Sequence, residues 1–381
     1  MHGPNLLNWM NPRRATMLAD LATLVSAETP SRDKTLLDPF ATMLAGRFQA
    51  LGGKVDLIDN SAGGNHLEAW FAADAQLDLP PALILAHFDT VWPRGTLADR
   101  PFRIDGPRAY GPGSYDMKAS IILLEAALTG LRELGLTPRR PIHVLITSDE
   151  EIGSPTSRSL IEASARDAAH ALVLEPPLPG GLLKTARKGV GGFTIEIEGK
   201  AAHAGIEPEK GVSAINELVL QIPRINALAN PAVGTTINVG LIEGGTTPNV
   251  VPARAMARVD VRVTTMDEAR RIEDAFHELQ ALTPGASVQV TGGINRPPME
   301  RTPAGRDLFE RTRQIGRSLG LELGEGSTGG GSDGNFTAAL GVATLDGLGM
   351  PGAGAHAIDE HILIESLPER AALLACLLLE L

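Results

Sequence analysis

Cysteine is nearly absent: Cys376 is the one cysteine in 381 residues, so no disulfide can form within the chain. It stands in the apolar run ALLACLLLEL and reads as a small buried hydrophobe. Long apolar runs are missing too. No stretch approaches the ~20 apolar residues that a membrane-spanning helix needs, and MHGPNLLNWMNPRR at the start has no extended apolar segment of a secretory leader. A cytoplasmic location without a membrane partner is the expectation. Positive charge is short, with 34 Lys and Arg against 45 Asp and Glu, for a formal net charge of −11. That argues against nucleic acid or an anionic membrane as the main partner. No G-x-G-x-x-G follows the first predicted strand, which speaks against a nucleotide-binding oxidoreductase, and no G-x-x-x-x-G-K-[ST] phosphate loop occurs. Internal repeats and low-complexity segments are likewise missing.

At this length two domains are expected. Residues 15–27 have helical spacing. Three apolar runs, ALILAHFDT (82–90), PIHVLITSDEE (141–151) and ALVLEP (171–176), show no alternation and suit strands covered on both faces. The helix pattern MKASIILLEAALTGLRELG separates the first two and stops at Gly135. Strand, helix and strand in succession predict a mostly parallel α/β sheet, which binds ligands at the carboxyl ends of its strands. After ARKG the texture changes. GGFTIEIEG alternates, and a helix, two strands, a second helix and a last strand SVQVTGG follow it. That order, βαββαβ, is the ferredoxin-like split arrangement. The predicted architecture is therefore a catalytic α/β domain over 1–189 and 300–381, interrupted by a small domain over 190–299. Among the remaining histidines, His143 is expected within a strand, His170 and His277 on surfaces, and His361 exposed.

Each apolar run ends in residues of metal-ligand type: His87 and Asp89, Glu150 and Glu151, Glu175. Taken singly, each has a plain alternative. His87 can be a hydrogen-bonded strand-end histidine, Asp116 in GPGSYDMK a helix N-cap, Glu175 a solvated loop acid, and His356 in GAGAHA a loop residue. Together, two histidines and three carboxylates match the demand of a two-zinc site, in which one carboxylate bridges ions about 3.5–4 Å apart. Adjacent glutamates then make sense. One binds metal, while the other holds the proton of the attacking water, which a metal ligand cannot do.

The segments AHFDTVWPRG, GPGSYDMK, TSDEEIGS, LVLEP, GKAAHAGIEPEKGVSAI, TTPNVVPARAMARVDVR and STGGGSDGNF with GAGAH occur in the order found in the M20 metallopeptidases. Through nearly its whole length the chain resembles that family, and most of all its glutamate carboxypeptidase branch. The resemblance implies that His87, Asp116 and Glu175 hold one zinc. It implies that Asp116 bridges to a second zinc on Glu151 and His356, with cobalt or manganese able to substitute. Glu150 is then the general base, Asp89 supports His87, and the Asp116–Met117 peptide is cis. His203 would reach the partner's active site in a homodimer formed by the small domain and stabilise the oxyanion there. Asn249, Arg262, Arg296 and the loop around Gly330 would bind a substrate carboxylate, for which both arginines have the alternative of a solvated sheet face. The implied reaction releases a C-terminal amino acid from an N-acyl amino acid or short peptide. Arg187 and Lys188 in KTARKG are more basic than that branch leads one to expect, which loosens glutamate as the leaving amino acid. A deacylase or deacetylase of the same family is the alternative, and a non-catalytic zinc-binding protein on this fold a further one.

Overall fold

The computed structural model describes residues 2–71 and 78–381. The chain forms two compact units. Met1–Ala186, Arg301–Thr328 and Ser332–Leu381 make the first; Arg187–Glu300 with Gly329–Gly331 make the second.

The first unit is built on a six-stranded sheet. Its strands include β1 (Lys54–Ile58), β2 (His66–Phe71), β3 (Ala82–His87), β4 (Ile142–Thr147) and β5 (His170–Val173), in the order β1-β2-β4-β3-β5 followed by Thr344–Leu345. β3 runs parallel to β4 and to β5, and β5 parallel to Thr344–Leu345. β1 and β2 add an antiparallel margin. Every residue of β3, β4 and β5 is buried, and alternation explains how. Ile84, Ala86, Val144, Ile146 and Leu172 face the main core, whereas Leu83, Leu85, Leu145, Ala171 and Val173 face a second cluster with Ile161 and Phe336. Successive side chains of a strand point to opposite faces, so a continuous apolar run is what a doubly covered strand requires.

Two helices of the main core, Ala119–Glu133 and Leu367–Glu380, pack on each other and are each buried over most of their length. The first ends where expected, with Gly135 at φ +63°, a left-handed position that glycine adopts without penalty. His143 lies within β4. The readings of His170 and His361 need correction. His170 opens β5, paired opposite Ala82 and 4 % exposed, and burial pushes its imidazole down to about 3. His361 belongs to a short strand, His361–Leu363, that pairs with Arg108–Tyr110 and buries it against Tyr110.

The second unit has the predicted order. β6 (Gly189–Glu198), the helix Ala214–Asn226, β7 (Thr236–Gly244), β8 (Arg254–Val263), the helix Met266–His277 and β9 (Ser287–Arg296) make an antiparallel sheet ordered β7-β8-β6-β9. In β6 Phe193, Ile195 and Ile197 are buried and the residues between them are not. A one-residue slip would expose all three at roughly 1.5–3 kcal/mol each, so the register is fixed. Phe193 and Phe276 stack with ring centroids 4.0 Å apart. Both helices begin on a hydroxyl cap, Ser213 accepting from Asn216 N and Thr265 from Glu268 N.

Candidate metal centre

β3 ends at His87, and two residues on Asp89 turns back beneath it. Both side chains are buried. His87 Nδ1 lies 3.1 Å from the Asp89 carbonyl and 3.4 Å from its Oδ1. With Nδ1 so engaged, Nε2 is the ring atom turned outward, 3.2 Å from Asp116 Oδ1 and 3.5 Å from Glu175 Oε1. The Asp89 carboxylate does a second thing. Its oxygens accept from Glu150 N at 3.1 Å and Glu151 N at 3.2 Å. One buried aspartate thereby ties the end of β3 to the turn after β4.

That turn is a single tight coil, Glu150–Ile152. Asp149, just before it, accepts from the backbone N–H and hydroxyl of both Thr156 and Ser157. The two glutamates diverge as their adjacency suggests. Glu151 Oε2 meets His356 Nε2 at 2.9 Å. Glu150 offers an oxygen within 4.8 Å of ligand atoms of His87 and Glu175. His87, Asp116 and Glu151 form a second set equally close. The Asp116 carboxylate stands between the two sides, with Oδ1 toward His87 and Oδ2 3.6 Å from His356 Nε2. The Asp116–Met117 peptide is cis.

The electrostatics of this cluster test whether it fits cations. Burial pulls His87 toward neutrality, yet hydrogen bonds to Asp116, Asp89 and Glu175 outweigh it and hold the imidazole well above its usual value. The hydrogen bond to Glu151 pushes His356 up to about 9. Burial pushes Glu151 up to about 7 against the pull of His356. Crowded carboxylates that raise the basicity of imidazoles between them are a donor set short of positive charge. Lys184 is the ammonium at its margin, 4.0 Å from Glu175. Two imidazoles and a set of carboxylates with nitrogen and oxygen donors converging fit zinc or a similar dication.

The profile of peptidase family M20/M25/M40 matches residues 83–380. The chain belongs to this family. Carboxypeptidase G2 of Pseudomonas sp. (strain RS-16) is 31 % identical over 373 residues, covering 96 % of this chain and 89 % of that protein. A succinyl-diaminopimelate desuccinylase of Acidovorax ebreus (strain TPSY) is 28 % identical over 84 % of this chain and 87 % of its own length. Among solved structures, the aminopeptidase PepT of Bacillus cereus ATCC 10987 superposes with a TM-score of 0.76 at 22 % identity, covering 96 % of this chain and 98 % of that one. The M20 family metallo-carboxypeptidase Sso-CP2 of Sulfolobus solfataricus does so with 0.71 at 18 %, covering 95 % and 98 %; both likenesses concern the fold. This M20 hydrolase is thus of the metallo-carboxypeptidase or amidohydrolase class that its sequence suggests.

His203, Asn249, Arg262, Arg296 and Gly330 all fall in the second unit. His203 is exposed. Its Nδ1 accepts from Gly205 N at 3.1 Å, which leaves Nε2 as the protonated, donating nitrogen of the neutral ring. Asn249 lies alongside, its carbonyl accepting from Ala204 N at 2.9 Å. Arg262 is gripped by its own strand: Nε and Nη2 donate to the two Asp260 oxygens at 2.9 Å each. Arg296 is buried against Gly331, where a Cβ would come within 2.7 Å of Arg296 Cδ. The Gly330 carbonyl accepts from Arg187 Nη1 at 3.1 Å.

Sequence reasoning missed Asp149 and Glu360. Glu360 is 1 % exposed and binds the backbone of the Asp116 loop. The one signal was its place four residues after His356.

Metal-stripped protein titrated with zinc should unfold at a higher temperature, since a ligand at 100 times its Kd stabilises by about 2.7 kcal/mol. Asp116→Ala should abolish most of that shift. An equal shift in the variant, measured by calorimetry, would remove Asp116 from the binding set.

Proposed function

We propose that this M20 enzyme hydrolyses the amide bond of an N-acyl amino acid or short peptide and releases the C-terminal amino acid, using two zinc ions per subunit. The observation that carries the reading is the Asp116 carboxylate, one oxygen toward His87 and the other toward His356. His87, Asp116 and Glu175 hold one ion; Asp116, Glu151 and His356 hold the other. When bound, the ions polarise the scissile carbonyl and make the attacking water more acidic. Glu150 takes the proton of that water and passes it to the leaving amine. An oxygen of Glu150 lies within 4.8 Å of ligand atoms of His87 and Glu175, and this nearness supports the role. His203 of the partner subunit donates from Nε2 to the developing oxyanion. A carboxypeptidase G2 relative covering nearly the whole chain supports the carboxypeptidase reading. The desuccinylase relative keeps an acyl-amino-acid deacylase as the second reading.

Dimerisation through the small unit is part of the proposal. β7 is an edge strand exposing Leu241 and Ile242, and the neighbouring helix Ala214–Asn226 exposes Ile215, Val219 and Leu220. An exposed apolar patch on an edge strand favours pairing with a second copy across a two-fold axis. The substrate carboxylate is assigned to Arg262, Asn249, Arg296 and the glycine loop at Gly330. Because Asp260 occupies the Nε–Nη2 edge of the Arg262 guanidinium, the carboxylate meets Nη1, whose 3.4 Å contact to the Gly329 carbonyl is long for a hydrogen bond.

Glu150→Gln should keep both zinc ions and lose turnover by about two to three orders of magnitude. Glu151→Gln should lose one ion per chain. Elemental analysis showing the reverse pattern would exchange the two roles. For substrate, an acyl amino acid with a free carboxylate should be cleaved well, its amide poorly, and Arg262→Ala should raise KM for the former. Equal turnover of the two substrates by the parent enzyme would remove Arg262 from the site.

A further inference from the structure

Glu360 closes the loop that carries His356, and its side chain is directed into the loop that carries Asp116. Oε1 accepts from Tyr115 N at 3.0 Å and Asp116 N at 3.1 Å; Oε2 accepts from Gly113 N and from Trp92 Nε1, both at 2.9 Å. Four N–H donors meet two oxygens. Each oxygen accepts two of these bonds. The backbone of Glu360 is held as well, its N–H donating to Ala357 O at 3.1 Å and its carbonyl accepting from Gly111 N at 3.4 Å. Gly352–Ala353 and His361–Leu363 pair as a hairpin, and the latter also pairs with Arg108–Tyr110. His356 stands in the connecting loop, with a left-handed φ of 60°. The loop folds back so closely that a Cβ on Gly354 would lie 2.9 Å from Glu360 Cα.

We propose that Glu360 is the positioning residue of the metal centre: it locks the backbone of Asp116 and, through the hairpin base, the loop of His356, so that both ligands are presented to the same ion. The inference rests on the two-ion reading above. Glu360 acts through the Asp116 N–H. A bridging carboxylate must be placed to within a fraction of an ångström for both its oxygens to serve, and outer hydrogen bonds set that placement. A glutamine at this position would turn an NH2 toward two N–H donors, losing two bonds and burying unsatisfied donors beside a ligand.

The test uses the full chain, stripped of metal, with zinc as the probe, read by chelator competition and paired with the unfolding temperature of the metal-free protein. Glu360→Gln should bind zinc about 10–100-fold more weakly. Combined with Asp116→Asn, it should cause no further loss beyond Asp116→Asn alone, because both changes act on one interaction. Unchanged zinc affinity with a lowered unfolding temperature would make Glu360 a fold-stabilising residue only and overturn the proposal, as would fully additive losses. A parent protein that binds no zinc would instead remove the two-ion reading, and this inference with it. Should Glu360→Gln fail to fold, Trp92→Phe takes its place, removing one donor and leaving the carboxylate. It should bind zinc several-fold more weakly, with at most a small fall in the unfolding temperature of the metal-free protein, and unaltered affinity there would equally overturn the assignment.

Discussion

Asp116 presents one carboxylate oxygen to each of two imidazoles, and on the proposed two-ion reading the first unit must hold that geometry. A shared carboxylate demands that His87, at the end of a central strand, and His356, in a distant loop, stand at fixed distance on either side of it. Strand ends alone cannot supply this, because Asp116 and His356 both lie in loops rich in glycine. The solution is a set of buried acids that hold backbone N–H groups. Asp89 takes those of Glu150 and Glu151, Asp149 those of Thr156 and Ser157, and Glu360 those of Gly113, Tyr115 and Asp116. Each such carboxylate is costly to bury unless its hydrogen bonds are complete, and here they are supplied by the segments that need to be immobilised.

The sheet provides the platform. Parallel strands covered on both faces end at one edge, so His87, the Glu150–Glu151 turn and the segment leading to Glu175 emerge side by side. The adjacent glutamates then separate by chemistry. Glu151 is tied to His356 and the second side of Asp116, whereas Glu150 lies toward His87 and Glu175. On the proposed reading one residue would bind a cation and its neighbour would handle a proton, a division that two residues of one type can make only if the turn between them is rigid.

Much of this was legible in the sequence, for physical reasons that vary by element. β3, β4 and β5 were readable because a doubly buried strand leaves an unbroken apolar run, and β6 because a one-sided strand leaves alternation. β1 and β2 escaped notice: β1 is short and mostly solvated, and pairing to β2 rather than its own pattern makes it a strand. His170 and His361 were misplaced because their burial comes from strands paired across the chain. Glu360 offered no signal beyond its place after His356 for the same reason, since its donors lie some 244 to 268 residues away. Asp89 was half legible. Its support of His87 is local, but its grip on Glu150 spans 61 residues.

The most direct test of the two-ion account is anomalous scattering at the zinc absorption edge from crystals of the zinc-loaded protein. The account predicts two peaks per chain about 3.5–4 Å apart, on opposite sides of the Asp116 carboxylate. One should lie against His87 and Glu175, the other against Glu151 and His356, with Glu150 bound to neither. A single peak, or one coordinated directly by Glu150, would contradict it.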